Sequence, residues 1–137
     1  MKERFLNIII KLSKKSLKYD DVPVGCIIVK NNKIISKGFN TRQKHKKIIN
    51  HAEINAILKA NKKIKSYFLY DCDMYVTLKP CSMCENIIKQ SRLRNVYYLL
   101  DKPNNKKEYN KTNILKLDSN FETKYCEIMQ SFFNKKR

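Results

Sequence analysis

The sequence predicts an α/β fold, a three-layer α/β/α sandwich built on one mixed sheet of about five strands. Three observations carry that prediction. The run "VGCIIVKNNKIISKGFN" reads as two β-rich segments around an Asn-Asn pair, which is a hairpin and so an antiparallel connection. The runs "CDMYVTL", "CSMCENIIKQS" and "NVYYLL" read as strand, helix and strand within about thirty residues, which makes a right-handed crossover and a parallel pair. Amphipathic helical patterns stand at both ends of the chain, ready to cover the sheet. With 137 residues there is chain for one domain with a real core and too little for two, so residues 1–137 are expected to form a single domain.

Each element follows from its local pattern. Residues 2–18 put Phe5, Ile8, Ile9, Leu12 and Ser16 at helical spacing between basic residues, which predicts a first helix packed on one face. "YDDVPVG" ends it, because Pro23 cannot continue a helix and Gly25 is expected to relax the backbone. In the hairpin, Asn31 and Asn32 tolerate the positive φ that a tight turn requires. From Asn50 to about Lys62, the set Ala52, Ile54, Ala56, Ile57, Leu58 and Ala60 predicts a well-buried helix capped by Asn50. After the crossover, which turns Ile87 and Ile88 inward, "DKPNNKKEYNKTN" reads as a polar loop over residues 101–113. Phe121, Tyr125, Ile128, Met129, Phe132 and Phe133 then give a closing helix that ends in "NKKR". No internal repeat and no domain linker is visible.

Charge narrows the partners. Thirty Lys and Arg against twelve Asp and Glu give a formal net charge of +18, far beyond what solubility requires. Part of the excess reflects a composition rich in Lys, Asn and Ile with no Trp and two Gly, the mark of nucleotide bias. The remainder points to a polyanion, with nucleic acid ahead of an anionic membrane surface. No run approaches the roughly 18 apolar residues of a membrane span, since "FLNIIIKL" is cut by Asn7 and Lys11. Lys14, Lys15 and Lys18 stand where a secretory signal would need its small-residue cleavage site. Five cysteines in no disulfide pattern fit a reducing cytoplasm.

Chemistry concentrates in two motifs. "NHAEINAILKA" places His51 and Glu53 at a helix start, and "TLKPCSMC" places Cys81 and Cys84 after Pro80. Zinc takes nitrogen and sulfur ligands in a tetrahedron, and a catalytic site keeps three protein ligands and leaves the fourth position open. His51, Cys81 and Cys84 are such a set, because one helical turn turns both sulfurs to one side while the helix N-terminus favours thiolate. Glu53 then stands as a carboxylate beside the activated water rather than as a ligand. Such a centre suits attack on an amidine-like ring carbon with loss of ammonia, which is hydrolytic deamination. Taken alone, His51 is a capping residue and the Cys-x-x-Cys a redox pair or half of a zinc knuckle. A structural zinc would need a fourth ligand from Cys26, Cys72, Cys126 or His45. Arg42, Lys46, Lys47, Arg92 and Arg94 are the expected phosphate contacts, with a solvated basic face as the plain alternative. Phe132 and Phe133 can stack on bases, although one of two adjacent aromatic residues belongs in the core.

With these motifs the chain resembles the cytidine deaminase-like superfamily and, within it, the bacterial tRNA adenosine deaminases. "DVPVGCIIVKNNKIISKGFNTR", "HAE", "MYVTLKPCSMC", "QSRLRNVYY" and "SFFNKKR" carry the resemblance, which covers most of the chain. It implies conversion of the wobble adenosine of a tRNA anticodon to inosine, one zinc held by His51, Cys81 and Cys84, and Glu53 as proton shuttle. It further implies that Asn40 hydrogen-bonds the flipped base, that backbone around Val24, Ala52 and Pro80 lines the pocket, and that the enzyme is a homodimer, with one half of a heterodimer as the alternative. The chain departs from the family at Lys79, where Glu is usual, and at Glu85 and Asn86, where residues are small. "DKPNNKKEYN" replaces a Gly-rich stretch, so Asp101 and Lys102 have no assigned place. Two other readings stay open: a deaminase of free deoxycytidylate, cytosine or guanine, and a non-catalytic zinc-stabilised RNA-binding module. Charge favours the tRNA reading, because each neutralised phosphate adds affinity.

Overall fold

The computed structural model describes residues 2–101 and 112–136. Most of the polar loop expected at 101–113, Lys102 included, lies outside the described residues. Helix α1 (Lys2–Ser16) runs into a 3₁₀ turn at Leu17–Tyr19, and strands β1 (Gly25–Lys30) and β2 (Lys33–Phe39) follow. A single helical turn α2 (Arg42–His45) precedes α3 (Ala52–Ile64). Strand β3 (Cys72–Leu78), helix α4 (Ser82–Ser91) and strand β4 (Asn95–Leu100) form the crossover. Strand β5 (Asn113–Lys116) and helix α5 (Phe121–Lys135) close the chain.

The five strands make one mixed sheet in the order β2-β1-β3-β4-β5. β1 is antiparallel to both β2 and β3, whereas β3, β4 and β5 run parallel. Alternation of side chains splits the core into two layers. Cys26, Ile28, Met74, Val76 and Val96 face one side, where Ala52, Ala56, Ile57 and Ile88 of α3 and α4 cover them. Ile27, Val29, Tyr75 and Leu99 face the other, under Phe5, Ile9 and Leu12 of α1 and Tyr125 of α5. The sandwich with helices on both faces is therefore the predicted one.

Turn chemistry behaves as the sequence requires. Asn31 and Asn32 sit at φ 50° and 64°, the pair of left-handed residues that a two-residue hairpin needs. Gly25 is different from expectation. No described glycine has positive φ, and the missing Cβ matters because it would lie 2.0 Å from the Ile9 carbonyl oxygen, so glycine lets α1 close on the sheet. Gly38 does the same for α3, where a Cβ would lie 2.4 Å from the Ala52 carbonyl oxygen. That close approach sets the first turn of α3 directly against β2.

Three further differences have physical causes. Asn50 does not cap α3; the N-cap is His51, and the Ala52 N–H is taken by the Asn40 side chain from the end of β2. Leu58 is 58% exposed, because it stands on the outer face of α3 between the buried Ile57 and Ala60. Helix α2 and strand β5 carry no apolar period: α2 has no buried residue, and β5 is a short, largely exposed edge. Each is fixed from outside, α2 by the Asp21 carboxylate accepting the Gln43 N–H at 3.0 and 3.1 Å, β5 by its parallel ladder with β4.

Candidate active site

Two helix starts meet at the sheet's end. His51 is the N-cap of α3 and Cys81 the N-cap of α4, both with extended backbone, at φ −75° and ψ 155° and at φ −72° and ψ 171°. Neither side chain makes the usual capping bond to its own helix. Both are turned instead toward a common point. His51 Nδ1 lies 3.7 Å from Cys81 Sγ and 3.4 Å from Cys84 Sγ. A tetrahedral zinc at ~2.05 Å from nitrogen and ~2.3 Å from sulfur spaces such atoms about 3.6 Å apart, so the donor set fits zinc without rearrangement. Backbone bonds fix the approach: Lys79 N–H donates to the Leu100 carbonyl at 2.9 Å, and Glu85 N–H to the Cys81 carbonyl at 2.8 Å.

Electrostatics of the cluster favour a cation. The Cys81 thiol is pulled down to about 3, first by a hydrogen bond from Cys84 and then by one from His51. Cys84 is held well above the usual thiol range, first by that shared bond and then by burial and the charge of Glu53. The two sulfurs are thus pushed in opposite directions, Cys81 toward thiolate and Cys84 toward thiol. Two helix N-termini facing the sulfurs add positive potential. Among the described residues, the group able to hold a metal consists of His51, Cys81 and Cys84, whose donor atoms lie within 4.8 Å of one another. Cys26, Cys72, Cys126 and His45 are not part of it, so among the described residues none of these four supplies a fourth ligand. Glu53 stands in the first turn of α3, only 4% exposed, and its charge is felt by Cys84 and Cys26. A buried carboxylate beside a three-donor centre can carry protons to and from whatever occupies the open side.

Asn40 is the joint between the hairpin and this centre. Its backbone N–H donates to the Val24 carbonyl at 3.2 Å, its Nδ2 to the Val22 carbonyl at 3.0 Å, and its Oδ1 accepts the Ala52 N–H at 2.8 Å. One side-chain N–H and one lone pair remain for a ligand. Asn40, Val24, Ala52 and Pro80 are all buried around the cluster's two helix starts.

A profile of the cytidine and deoxycytidylate deaminase zinc-binding region matches residues 1–100. The tRNA-specific adenosine deaminase of Aquifex aeolicus (strain VF5) is 40% identical over 102 residues, covering 74% of this chain and 68% of that one. The chain belongs to the tRNA-specific adenosine deaminase family. Another member, from Buchnera aphidicola subsp. Baizongia pistaciae, is 34% identical over 143 residues, covering 97% of this chain and 88% of that one. A solved structure from studies of A-to-I editing by tRNA:A34 deaminases at the wobble position superposes with a TM-score of 0.78 at 23% identity, over 85% of this chain and 98% of that one. That likeness establishes the cytidine deaminase-like fold.

Lys79 and Asp101 have local partners in the structure. The Lys79 ammonium lies 6.0 Å from the Tyr98 ring centroid, and the Tyr98 hydroxyl donates to Asp101 Oδ1 at 2.8 Å. Burial and the acids Asp101 and Glu85 push the Tyr98 phenol up to about 12. Tyr98 ends the motif "QSRLRNVYY", where the sequence shows it only as a strand residue.

The expected RNA contacts divide into two places. Arg42, Lys46, Lys47, Phe132 and Phe133 line one 560 Å³ cavity together with Val22, whose carbonyl holds Asn40. Phe132 is buried in the core and Phe133 is 49% exposed, so only the second offers a free face. Arg92 and Arg94 are elsewhere. Arg92 is the C-cap of α4, a 10-residue helix whose N-cap is Cys81, which puts it about 15 Å from the metal ligands. Its guanidinium stacks 5.8 Å from Phe68, and Arg94 is held by Asp73 through bonds of 3.1 and 3.0 Å. Both therefore lie away from the cavity, because helix α4 carries the chain from one end of the sheet to the other.

Proposed function

We propose that the protein catalyses hydrolytic deamination of adenosine to inosine at the wobble position of a tRNA anticodon. The observation that carries this reading is a three-donor His/Cys/Cys group beside a buried carboxylate. His51, Cys81 and Cys84 would hold the zinc, which when bound would polarise a water and lower its pKa toward neutrality. Glu53 would take one proton from the water as its oxygen bonds to C6 and pass it to the ring nitrogen, then take the remaining hydroxyl proton as the C6 carbonyl forms and pass it to the amine, whose bond to C6 breaks to release ammonia. Asn40 offers its free N–H and lone pair to the flipped base, between backbone at Val24, Ala52 and Pro80.

RNA recognition belongs to the groove of Arg42, Lys46, Lys47 and Phe133, since an anticodon loop presents phosphates and unstacked bases together. The family name of the relatives and the charge of +18 support tRNA over a free base. A homodimer working in the reducing cytoplasm completes the reading, in keeping with five cysteines none of which is in a disulfide. No described helix is long and apolar enough to cross a membrane.

The test is incubation of the zinc-loaded protein with an arginine tRNA bearing an ACG anticodon, followed by reverse transcription, which reads inosine as guanosine. Guanosine at the wobble position, absent with Glu53→Gln, supports the reading. Full zinc occupancy without conversion sinks it, and ammonia release from deoxycytidylate, cytosine and guanine then identifies a free-base or nucleotide substrate.

A further inference from the structure

Three successive carbonyls of the loop between α1 and β1 are fixed from opposite sides. Val22 and Val24 accept from Asn40, through Nδ2 at 3.0 Å and the backbone N–H at 3.2 Å. The Pro23 carbonyl between them points the other way, as alternate carbonyls of extended chain do. There it accepts the hydroxyl of Tyr125 at 2.7 Å, a contact spanning 102 residues. Tyr125 belongs to α5 and is 0% exposed. The Thr77 hydroxyl braces the same phenol, while its oxygen takes the Gly25 N–H at 3.2 Å. So a residue of the last helix, in the layer opposite α3, holds the segment on which Asn40 hangs.

We propose that Tyr125 is a positioning residue for the catalytic centre: its hydroxyl fixes Pro23, so that Asn40 keeps its grip on the first turn of α3 and thereby on His51 and Glu53. The path is short and made of single bonds of ordinary length. Pro23 to Val22 and Val24 is one residue either way, Asn40 follows, and Asn40 Oδ1 takes the Ala52 N–H at 2.8 Å. Ala52 lies between His51 and Glu53 in the chain. Burial raises the Tyr125 phenol above its ordinary range, so it stays protonated and remains a donor at any working pH. Phenylalanine in its place keeps the ring packing and removes only the donor.

The catalytic part of this inference rests on the deaminase reading, but its structural part does not, and one set of measurements separates them. Amide hydrogen exchange is compared between wild type and Tyr125→Phe, both zinc-loaded and full length, at Asn40 and Ala52 and at Ile28 and Met74 in the central strands. The expected result is a fall in protection of about tenfold or more at Asn40 and Ala52 relative to Ile28 and Met74. An equal change at all four, or none, overturns the proposal, because a role in packing alone lowers protection uniformly. If Tyr125→Phe does not fold, Thr77→Val is read by the same ratio. Kinetics on the tRNA then add a second readout: kcat falls while KM and zinc content hold. Wild-type kcat in Tyr125→Phe overturns the catalytic role. Absence of inosine with the wild type itself tells against the deaminase reading, while the exchange ratio still decides whether Tyr125 holds the loop.

Discussion

His51 and Cys81 occupy positions where a helix prefers Asn, Asp or Ser, and neither caps its own helix. At α3 the Asn40 side chain takes over, accepting the Ala52 N–H, so the loss of about 1 kcal/mol for a missing cap falls on α4. Zinc coordination contributes roughly 10 kcal/mol or more in small zinc domains, so a metal would outweigh that loss. The proposed division of labour between ligands and Glu53 can be separated by experiment. Cys84→Ser is expected to abolish stoichiometric zinc binding and with it the zinc-dependent rise in melting temperature, which reaches about 2.7 kcal/mol of stability at a hundredfold excess over Kd. Glu53→Gln is expected to keep that rise, as measured by calorimetry with and without zinc, while turnover falls by roughly 10² to 10⁴. A Glu53→Gln protein that loses its zinc would make Glu53 a ligand and remove its role as proton carrier.

At the scale of elements, what holds the centre together is the seating of α3 on β2. Gly38→Ala would drive a methyl to within 2.4 Å of the Ala52 carbonyl oxygen, which is backbone and cannot rotate away. Overpacking of this kind costs about 1–3 kcal/mol, and here it is expected to weaken zinc affinity as well, although Gly38 touches no metal ligand. Asn32→Ala is the control. It strains the left-handed turn at φ 64° by about 1 kcal/mol, and zinc affinity measured by competition with a chelator is expected to stay at the wild-type value. The same distinction explains which elements could be read from sequence. The hairpin, the crossover and the outer helices announce themselves because their signals are local: Asn31-Asn32, alternating strands, an apolar stripe. The metal donors were legible for the same reason, as short motifs at helix starts. Helix α2 is fixed by Asp21, 22 residues from Gln43, and α3 is capped by Asn40 across 12 residues, so neither leaves a local trace. Tyr125 is the extreme case, since on α5 it reads as one more core aromatic.

At the scale of the molecule, the charge of +18 is spread widely, and its total does not decide where RNA binds. Position does. Arg42, Lys46 and Lys47 are exposed along a cavity that begins at Val22, two hydrogen bonds from the first turn of α3. Arg94 has comparable exposure but is already paired with Asp73 at the other end of the sheet. Counterion release gives each neutralised phosphate of single-stranded RNA a slope of about −0.7 in log Kobs against log salt. Replacing Arg42, Lys46 and Lys47 together by Ala is therefore expected to flatten the salt slope of tRNA binding by about 2, measured by filter binding from low to moderate ionic strength. Arg94→Ala is expected to leave the slope unchanged. The opposite pattern would move the RNA path to the α4 C-terminus, where Arg92 stacks on Phe68, and would detach the basic groove from the active site.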